Sequence, residues 1–418
     1  MTVKESGYQR RANQDLGPEQ ELFLLCARTR LEGRAEARVR ELLEDPLDWD
    51  WILSLAGRHH TVTLLHHHVN STGSEVIPDS VRQDLRGRYF YLAAHTLKHQ
   101  GELVALAREL EAAQAPPVAW KGPVLAHTAY PSPEFRTFTD LDLLFRSDDV
   151  GRAREVLRAR GYLPQHGPEI SEEELFSGGG RDVTFWNPET EVAVDFHWGS
   201  VRRYFSSAMD CEQLWPRHRI ISLEGEPIRV LEADSMILAL CIHGAKHGPF
   251  PWPALKWVTD LEALLRTHPT ERWAPLLARA RSLGCHRMLL LGVLLAKELM
   301  EAPVPPAVER DLAKDSVVAE LVPPIRARIL FPETALLHFS ERLRFDLAVR
   351  ERLRDRIQYR LARLLVPGKR DRSEASSSPT FLQVPRRLGR LAGRYLLHPI
   401  RARDFLFGTR KPPDSSGK

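Results

Sequence analysis

One stretch of this chain carries the residue types and spacings needed for chemistry on phosphates. Trp120-Lys121-Gly122 places a lysine in a glycine turn, Asp140-Leu141-Asp142 follows, and Asp195 stands inside the apolar run Val192 to Trp198. Side chains on a strand repeat every two residues, so Asp140 and Asp142 share a face, about 7 Å apart at Cα. Two unpaired carboxylates on a strand that otherwise reads Leu141, Leu143, Leu144, Phe145 would be costly to desolvate. A divalent cation removes that cost. Magnesium favours hard oxygen ligands, usually one or two carboxylates plus phosphate oxygens. Asp195 on a neighbouring strand would allow a second metal, so that one ion activates an attacking oxygen and the other steadies a leaving pyrophosphate. Gly122 lets a phosphate approach backbone amides, and the helix after it turns its positive end to the anion. Lys121 and Arg136 add cationic charge. His197 lies two residues past Asp195, shares its face, and could touch substrate or a metal-bound water.

These residues need a scaffold that brings distant strands together. Residues 1–17 are polar, and 18–115 read as helical. Leu22 to Leu25 and Val39 to Leu43 lie in two helices, Asp48 caps a third through Ala56, and a long helix runs from about Ser80 to Ala115. The period changes at Pro116-Pro117. Val118 to Trp120 reads as a strand, Pro123 to Tyr130 as a short helix, Thr139 to Phe145 as a strand, and Asp148 to Arg160 as a helix capped by Ser147 and stopped by Gly161. Thr184-Phe-Trp and Val192 to Trp198 flank Asn187-Pro188-Glu-Thr190 and so form an antiparallel hairpin. After Leu231 helices return: Asp234 caps Met236 to His247, followed by Ala254 to Leu265, Trp273 to Leu283 and Arg287 to Met300. Pro303 to Pro306 breaks the chain, and a last amphipathic stretch covers about Pro385 to Leu397.

The composition narrows the class. With 418 residues, 43% hydrophobic and 27% charged, the chain suits a globular protein of two or three domains. The start, Met-Thr-Val-Lys-Glu-Ser-Gly, has no leader character, and the longest apolar run, Met288 to Ala296, is far below the ~20 residues of a membrane span. Cys26, Cys211, Cys241 and Cys285 lack metal or disulfide spacing, so a cytoplasmic, reducing setting is expected. From Glu341 onward 20 Lys+Arg face 8 Asp+Glu, against a net charge of only +4 for the whole chain. The arginines from Arg342 to Arg363 alternate with Leu343, Leu347, Leu353, Ile357 and Leu361, which predicts one basic amphipathic helix. Its plain reading is an exposed face, and its functional reading is a weak membrane-surface or protein contact.

The run Trp120-Lys-Gly-Pro-Val-Leu-Ala126, then Tyr130-Pro131, Arg136, Thr139-Asp-Leu-Asp-Leu-Leu-Phe145 and a helix ending Arg160-Gly-Tyr162, resembles the uncharacterised bacterial nucleotidyltransferase family of the DNA polymerase beta-like superfamily. Asp195-Phe-His-Trp198, His243-x-x-Lys246-His247, Leu255-Lys-Trp257 and Asp260-Leu261 extend the resemblance, which covers about residues 20–300. It implies an α+β fold: a small polymerase beta-like mixed sheet flanked by helical regions. The expected divisions are a flexible 1–17, a helical 18–115, a nucleotidyltransferase core at 116–231, a helical 232–302 packing on that core, and a basic, helical and partly flexible 303–418. It also implies transfer of a nucleoside monophosphate from an NTP, ATP in the first instance, with Mg²⁺ or Mn²⁺ and release of pyrophosphate. Asp140 and Asp142 would be paired metal ligands and Asp195 the third carboxylate, with Lys121, Gly122, Arg136 and His197 around the nucleotide. Setting such families among genes for modified peptides or surface polysaccharides implies a small-molecule, peptide or sugar acceptor and no nucleic acid. Two departures from the wider superfamily stand out: Lys121-Gly122 replaces the usual Gly-Ser turn, and the gap to Asp140 is longer.

Rival readings remain for these residues. An Asp-x-Asp pair also holds the metal of sugar-nucleotide glycosyltransferases, although that fold needs strand–helix units before the pair, where this chain reads as helices. A nucleotidyltransferase fold without turnover would serve as a binding or scaffold protein. Among the histidines, His59-His60 and His66-His67-His68 are expected on a solvated helix face, and His243 and His247 in structural roles. Gly178-Gly-Gly180-Arg181 reads as a flexible loop, with a lid over the site as its functional reading.

Overall fold

The computed structural model describes residues 16–73, 75–165, 182–198, 211–246, 250–331 and 339–365. The N-terminal helices are α1 (Pro18–Cys26), α2 (Arg34–Leu43), α3 (Trp49–His59), α4 (Val62–Gly73) and the long α5 (Asp79–Ala112). Asp48 starts α3 as expected: its carboxylate accepts the Trp51 N–H at 3.0 Å. Such a cap contributes about 1 kcal/mol.

The α+β expectation is met by a seven-stranded mixed sheet. In chain order its elements are β1 (Val118–Ala119), α6 (Gly122–Ala129), β2 (Asp140–Phe145), α7 (Val150–Ala159), β3 (Leu163–Pro164), β4 (Asp182–Asn187), β5 (Val192–Trp198), β6 (His218–Leu223) and β7 (Glu226–Leu231). The spatial order is β3-β4-β5-β2-β1-β7-β6. β2 runs parallel to β5 and β1 parallel to β7, while the remaining pairs are antiparallel. The β4–β5 hairpin forms at the predicted place. The β6–β7 hairpin escaped the sequence pattern. Its turn, Glu224-Gly225, puts both residues at positive φ (51° and 83°), a job more often signalled by Asn-Gly or Asp-Gly.

Alternation divides the two faces of this sheet. Leu141, Leu143 and Phe145 of β2 join Val194 and Phe196 of β5 in a core with Leu103, Leu106 and Leu110 of α5 and Ala153 and Leu157 of α7. The opposite face carries Asp140, Asp142 and Leu144, then Ala193, Asp195 and His197. It faces the C-terminal helices, since Leu144, Val118 and Trp120 belong to the larger core built around them.

Those helices are α8 (Ala233–Lys246), α9 (Leu255–Thr267), α10 (Trp273–Leu283), α11 (His286–Met300), α12 (Pro306–Leu312), α13 (Ser316–Leu330), α14 (Phe339–Ala348) and α15 (Leu353–Leu365). Phe23 and Leu24 of α1, Leu55 of α3 and Leu64 of α4 join the same core, which runs from Phe23 to Val349, while α2 packs in a separate N-terminal cluster with Leu22, Ile52 and Val62. Buried polar ties fix the union. The Thr29 hydroxyl donates to the fully buried Glu262 at 2.6 Å, Thr259 Oγ1 donates to the Ala27 carbonyl at 3.1 Å, and the Leu255 N–H donates to His59 Nδ1 at 3.1 Å.

Several local expectations are corrected. The stretch from Arg342 to Arg363 is two helices, not one, because the chain turns at 349–352. There Val349 and Arg350 are buried, and the Arg350 guanidinium lies 4.0 Å from the Tyr359 ring centroid. Asp234 lies inside the first turn of α8, and its carboxylate is taken by His268 and Arg272, each at 2.7 Å. The His59 and His66–His68 groups divide between core and solvent: His59 and His68 are buried and the half-buried His66 stacks on Tyr89, while His67 is exposed beside Phe135 as expected of a solvated face. The Gly178–Arg181 loop, His247 and the Pro385–Leu397 stretch lie outside the described residues.

Candidate active site

The sheet register builds the centre of the site. Asp142 of β2 stands directly opposite Asp195 of the parallel β5, with Leu144 opposite His197 and Asp140 opposite Ala193. Because β2 and β5 are in phase, their polar side chains fall on one face. Asp142, Asp195 and His197 each present a ligand atom, all within 4.8 Å of one another. Asp140 is not part of that set; it sits one pleat away on the same strand face. Two hard carboxylates with one imidazole suit a divalent cation.

Asp142 is the pivot. It is 6% exposed, and its Oδ1 accepts from Lys121 Nζ at 3.2 Å and faces His197 Nε2 at 3.3 Å. Burial by itself would raise this carboxyl, but Lys121 and His197 outweigh burial and hold it at about 2. Asp140 has the opposite balance: burial, then repulsion from Asp142 and Asp195, pushes it up to about 6. The Asp195 carboxylate is oriented by the Thr184 hydroxyl, which donates to it at 2.6 Å from β4.

The Lys121-Gly122 turn is strained in a way that serves the site. Lys121 has φ 58° and ψ −148°, a region that is nearly glycine-only and costs a side-chain-bearing residue about 1–3 kcal/mol. That backbone turns the chain sharply from β1 into α6, while the Lys121 ammonium reaches Asp142 and lies 3.8 Å from the Trp120 ring centroid. Gly122 follows at φ 44°, and a Cβ there would come within 3.3 Å of the Asp140 carbonyl oxygen. The turn and the β2 carboxylates are therefore packed backbone to backbone, with Trp120 N–H donating to the Asp142 carbonyl at 3.1 Å.

Arg136 is placed differently from the sequence-based expectation of a phosphate-binding charge. It is 4% exposed, and its Nε and Nη2 donate to the two oxygens of Asp260 at 2.7 and 2.9 Å. Nη1 donates to the Gly122 carbonyl at 3.1 Å, and Tyr130 OH donates to Asp260 at 2.6 Å. Arg136 thus ties the Lys121-Gly122 turn to α9. Asp260 lies in the Asp260-Leu261 part of the resemblance but had no role from sequence, because a partner 124 residues away leaves no local pattern.

Two further lysines reach this region from the C-terminal helices. Lys256 opens α9 one turn before Asp260, and Lys246 closes α8 one turn after His243. The His243 ring packs on Trp120 and Trp257, at 6.1 and 4.6 Å between centroids. Burial, then repulsion from Arg136, pushes Lys256 down to about 8, while burial and Lys121 lower Lys246.

The sheet face gathers acidic side chains at its centre, where Asp142, Asp195 and His197 could hold a metal ion, with cations at its rim. The chain matches the family described as "Uncharacterised nucleotidyltransferase" over residues 45–301, and it belongs to that family of transferases. The match includes every residue of the site described above. No curated protein matches the chain. No helix among the described residues is long and apolar enough to cross a membrane.

Proposed function

We propose that this nucleotidyltransferase moves a nucleoside monophosphate from an NTP to a small-molecule, peptide or saccharide acceptor and releases pyrophosphate. ATP is the first donor to test. In this reading Asp142, Asp195 and Asp140 hold Mg²⁺ or Mn²⁺, with His197 beside them. The bound cation supplies Lewis acidity at the phosphate oxygens. Lys121 and the Gly122 turn grip the triphosphate, and Arg136 holds that turn in place through Asp260. Asp195, fixed by Thr184, orients the acceptor hydroxyl. Its oxygen forms the new bond to the α-phosphorus, its proton leaves through the carboxylate, and the bond from that phosphorus to the β-phosphate bridge breaks. The superfamily reading, a polymerase beta-like core, belongs to the same proposal.

The observation that carries this reading is the direct pairing of Asp142 with Asp195 on parallel strands, with the Lys121 ammonium on Asp142. Charge supports it. The carboxylates of Asp140, Asp142 and Asp195 balance the ammonium groups of Lys121, Lys246 and Lys256. Two divalent cations and a tetra-anionic triphosphate then add no net charge to a partly desolvated pocket, where an unbalanced charge would be costly.

The test is Mg²⁺-dependent pyrophosphate release from a panel of NTPs with mixed peptide, sugar and small-molecule acceptors, read together with mass spectrometry of the acceptors. Asp142→Ala and Asp140→Ala should remove release by at least about 100-fold, the scale of losing an electrostatic catalytic group, while the proteins stay folded. Turnover of UDP-sugars in place of NTPs, or release that persists in Asp142→Ala, would reject the reading.

A further inference from the structure

The ammonium groups of Lys246 and Lys256 form no hydrogen bond or ion pair among the described residues, although both residues are half-buried. A desolvated ammonium without a partner is unfavourable, and natural sites seldom keep two of them together unless an anion completes the set. Nearby cations reach carboxylates: Lys121 has Asp142 and Arg136 has Asp260.

Their placement indicates where such an anion would sit. Lys256 stands four residues before Asp260 on α9, so the two share a helix face, and that face is tied through Arg136 to the Gly122 carbonyl. Helical side chains lean toward the N-terminus, which carries Lys256 away from Asp260 and toward the open end of α9. That end is pinned by His59, whose ring accepts the Leu255 N–H. Lys246 stands three residues after His243, whose ring packs on Trp120, the residue that also supports the Lys121 ammonium. Both ammonium groups lie near enough to Lys121 to feel its repulsion, Lys246 with Asp182 and Asp142 also in range and Lys256 with Asp260 and Asp140, so α8 and α9 bring them to the Trp120-Lys121-Gly122 turn from the helical side.

We infer that Lys246 and Lys256, together with Lys121, form the subsite for the β- and γ-phosphates of the donor, and so for the pyrophosphate that departs. This inference rests on the proposed nucleotidyl transfer and deepens it. The sheet handles the α-phosphate and acceptor, while α8 and α9 carry the leaving group. A set of three ammonium groups suits a triphosphate tail better than the diphosphate of a sugar nucleotide.

The experiment measures binding of inorganic pyrophosphate with Mg²⁺ by calorimetry to the full-length protein and to Lys246→Met, Lys256→Met and the double variant. Denaturant midpoints are taken in the absence of ligand, and the KM for NTP is compared with kcat where turnover is present. Each single variant should weaken pyrophosphate binding by roughly tenfold or more, the effect of losing one charge-assisted hydrogen bond. KM should rise more than kcat falls. Ligand-free midpoints should stay level or increase, since each substitution removes a desolvated charge with no partner. Unchanged pyrophosphate affinity in the double variant would overturn the inference, as would lysine variants that lose their fold without ligand. Lysine-dependent pyrophosphate binding in a protein that transfers nothing would keep the subsite and reject only the transfer reading.

Discussion

Replacing Arg136 by methionine separates a structural tie from a phosphate ligand. Arg136 and Asp260 are 4% and 1% exposed, and their two hydrogen bonds of 2.7 and 2.9 Å form a bidentate pair. Methionine fills much of the volume but leaves Asp260 as a buried carboxylate with Tyr130 as its remaining side-chain donor. Breaking one half of a buried pair costs about 3–5 kcal/mol, mostly the desolvation of the charge left behind. The Gly122 carbonyl also loses its guanidinium donor, so the Lys121-Gly122 turn loosens. Asp260→Asn on the Arg136→Met background removes the stranded charge and keeps an oxygen for Tyr130. The double variant should therefore be more stable than Arg136→Met alone, with a coupling of about 2 kcal/mol between the sites. Urea denaturation of the ligand-free protein measures this, with the m-value checked for constancy. In the folded fraction activity should also fall, because the turn proposed to grip the triphosphate is displaced, and Asp260→Asn on that background should restore stability without restoring activity. A direct phosphate ligand would behave differently: the denaturation midpoint would not move, and KM alone would rise about 10- to 100-fold, the loss of a charged hydrogen bond. That second outcome would refute the tie between α9 and the Lys121-Gly122 turn.

Gly122→Ala forces a Cβ to 3.3 Å from the Asp140 carbonyl at a φ of 44°. It should cost about 1–2 kcal/mol of stability, and the activity lost should exceed what that destabilisation explains; a fully active variant would argue against close packing of turn and carboxylates. Acid should unfold the protein early. Burial holds His59 at about 3 and His68 at about 4, below the ordinary value of 6.5, so the unfolded chain takes up protons that the native state refuses. Stability from these two groups is complete above pH 6.5 and falls as pH drops below it, by up to about 1.4 kcal/mol per pH unit for each histidine. Denaturant midpoints across pH 7.5 to 5 should show this slope, and it should shrink in His68→Gln; a slope unchanged by that substitution would remove His68 from the account.

Much of the site was legible because strand and turn chemistry is local. Asp-x-Asp on an apolar hexamer places both carboxylates on one face whatever surrounds it, and a glycine after lysine marks the bend. The β4–β5 hairpin and the Asp48 cap follow from the same short-range rules. The β6–β7 hairpin was missed because Glu224-Gly225 is a weak turn signal, and the buried histidines because consecutive histidines, His59-His60 and His66 to His68, point to different sides of a helix and mark no single face.

The sequence by itself therefore determined the chemical inventory: three carboxylates, a lysine turn and the elements that carry them. Tertiary structure decided who meets whom. It set Asp142 against Asp195 through the parallel pairing of β2 with β5, brought His197 rather than Asp140 into the close cluster with them, and turned Arg136 from a free cation into the brace of α9. It also lowered Lys246 and Lys256 into the roof. The physical reason is that strand order and helix docking are fixed by contacts far apart along the chain, where the burial of the whole apolar surface outweighs the preference of any single segment.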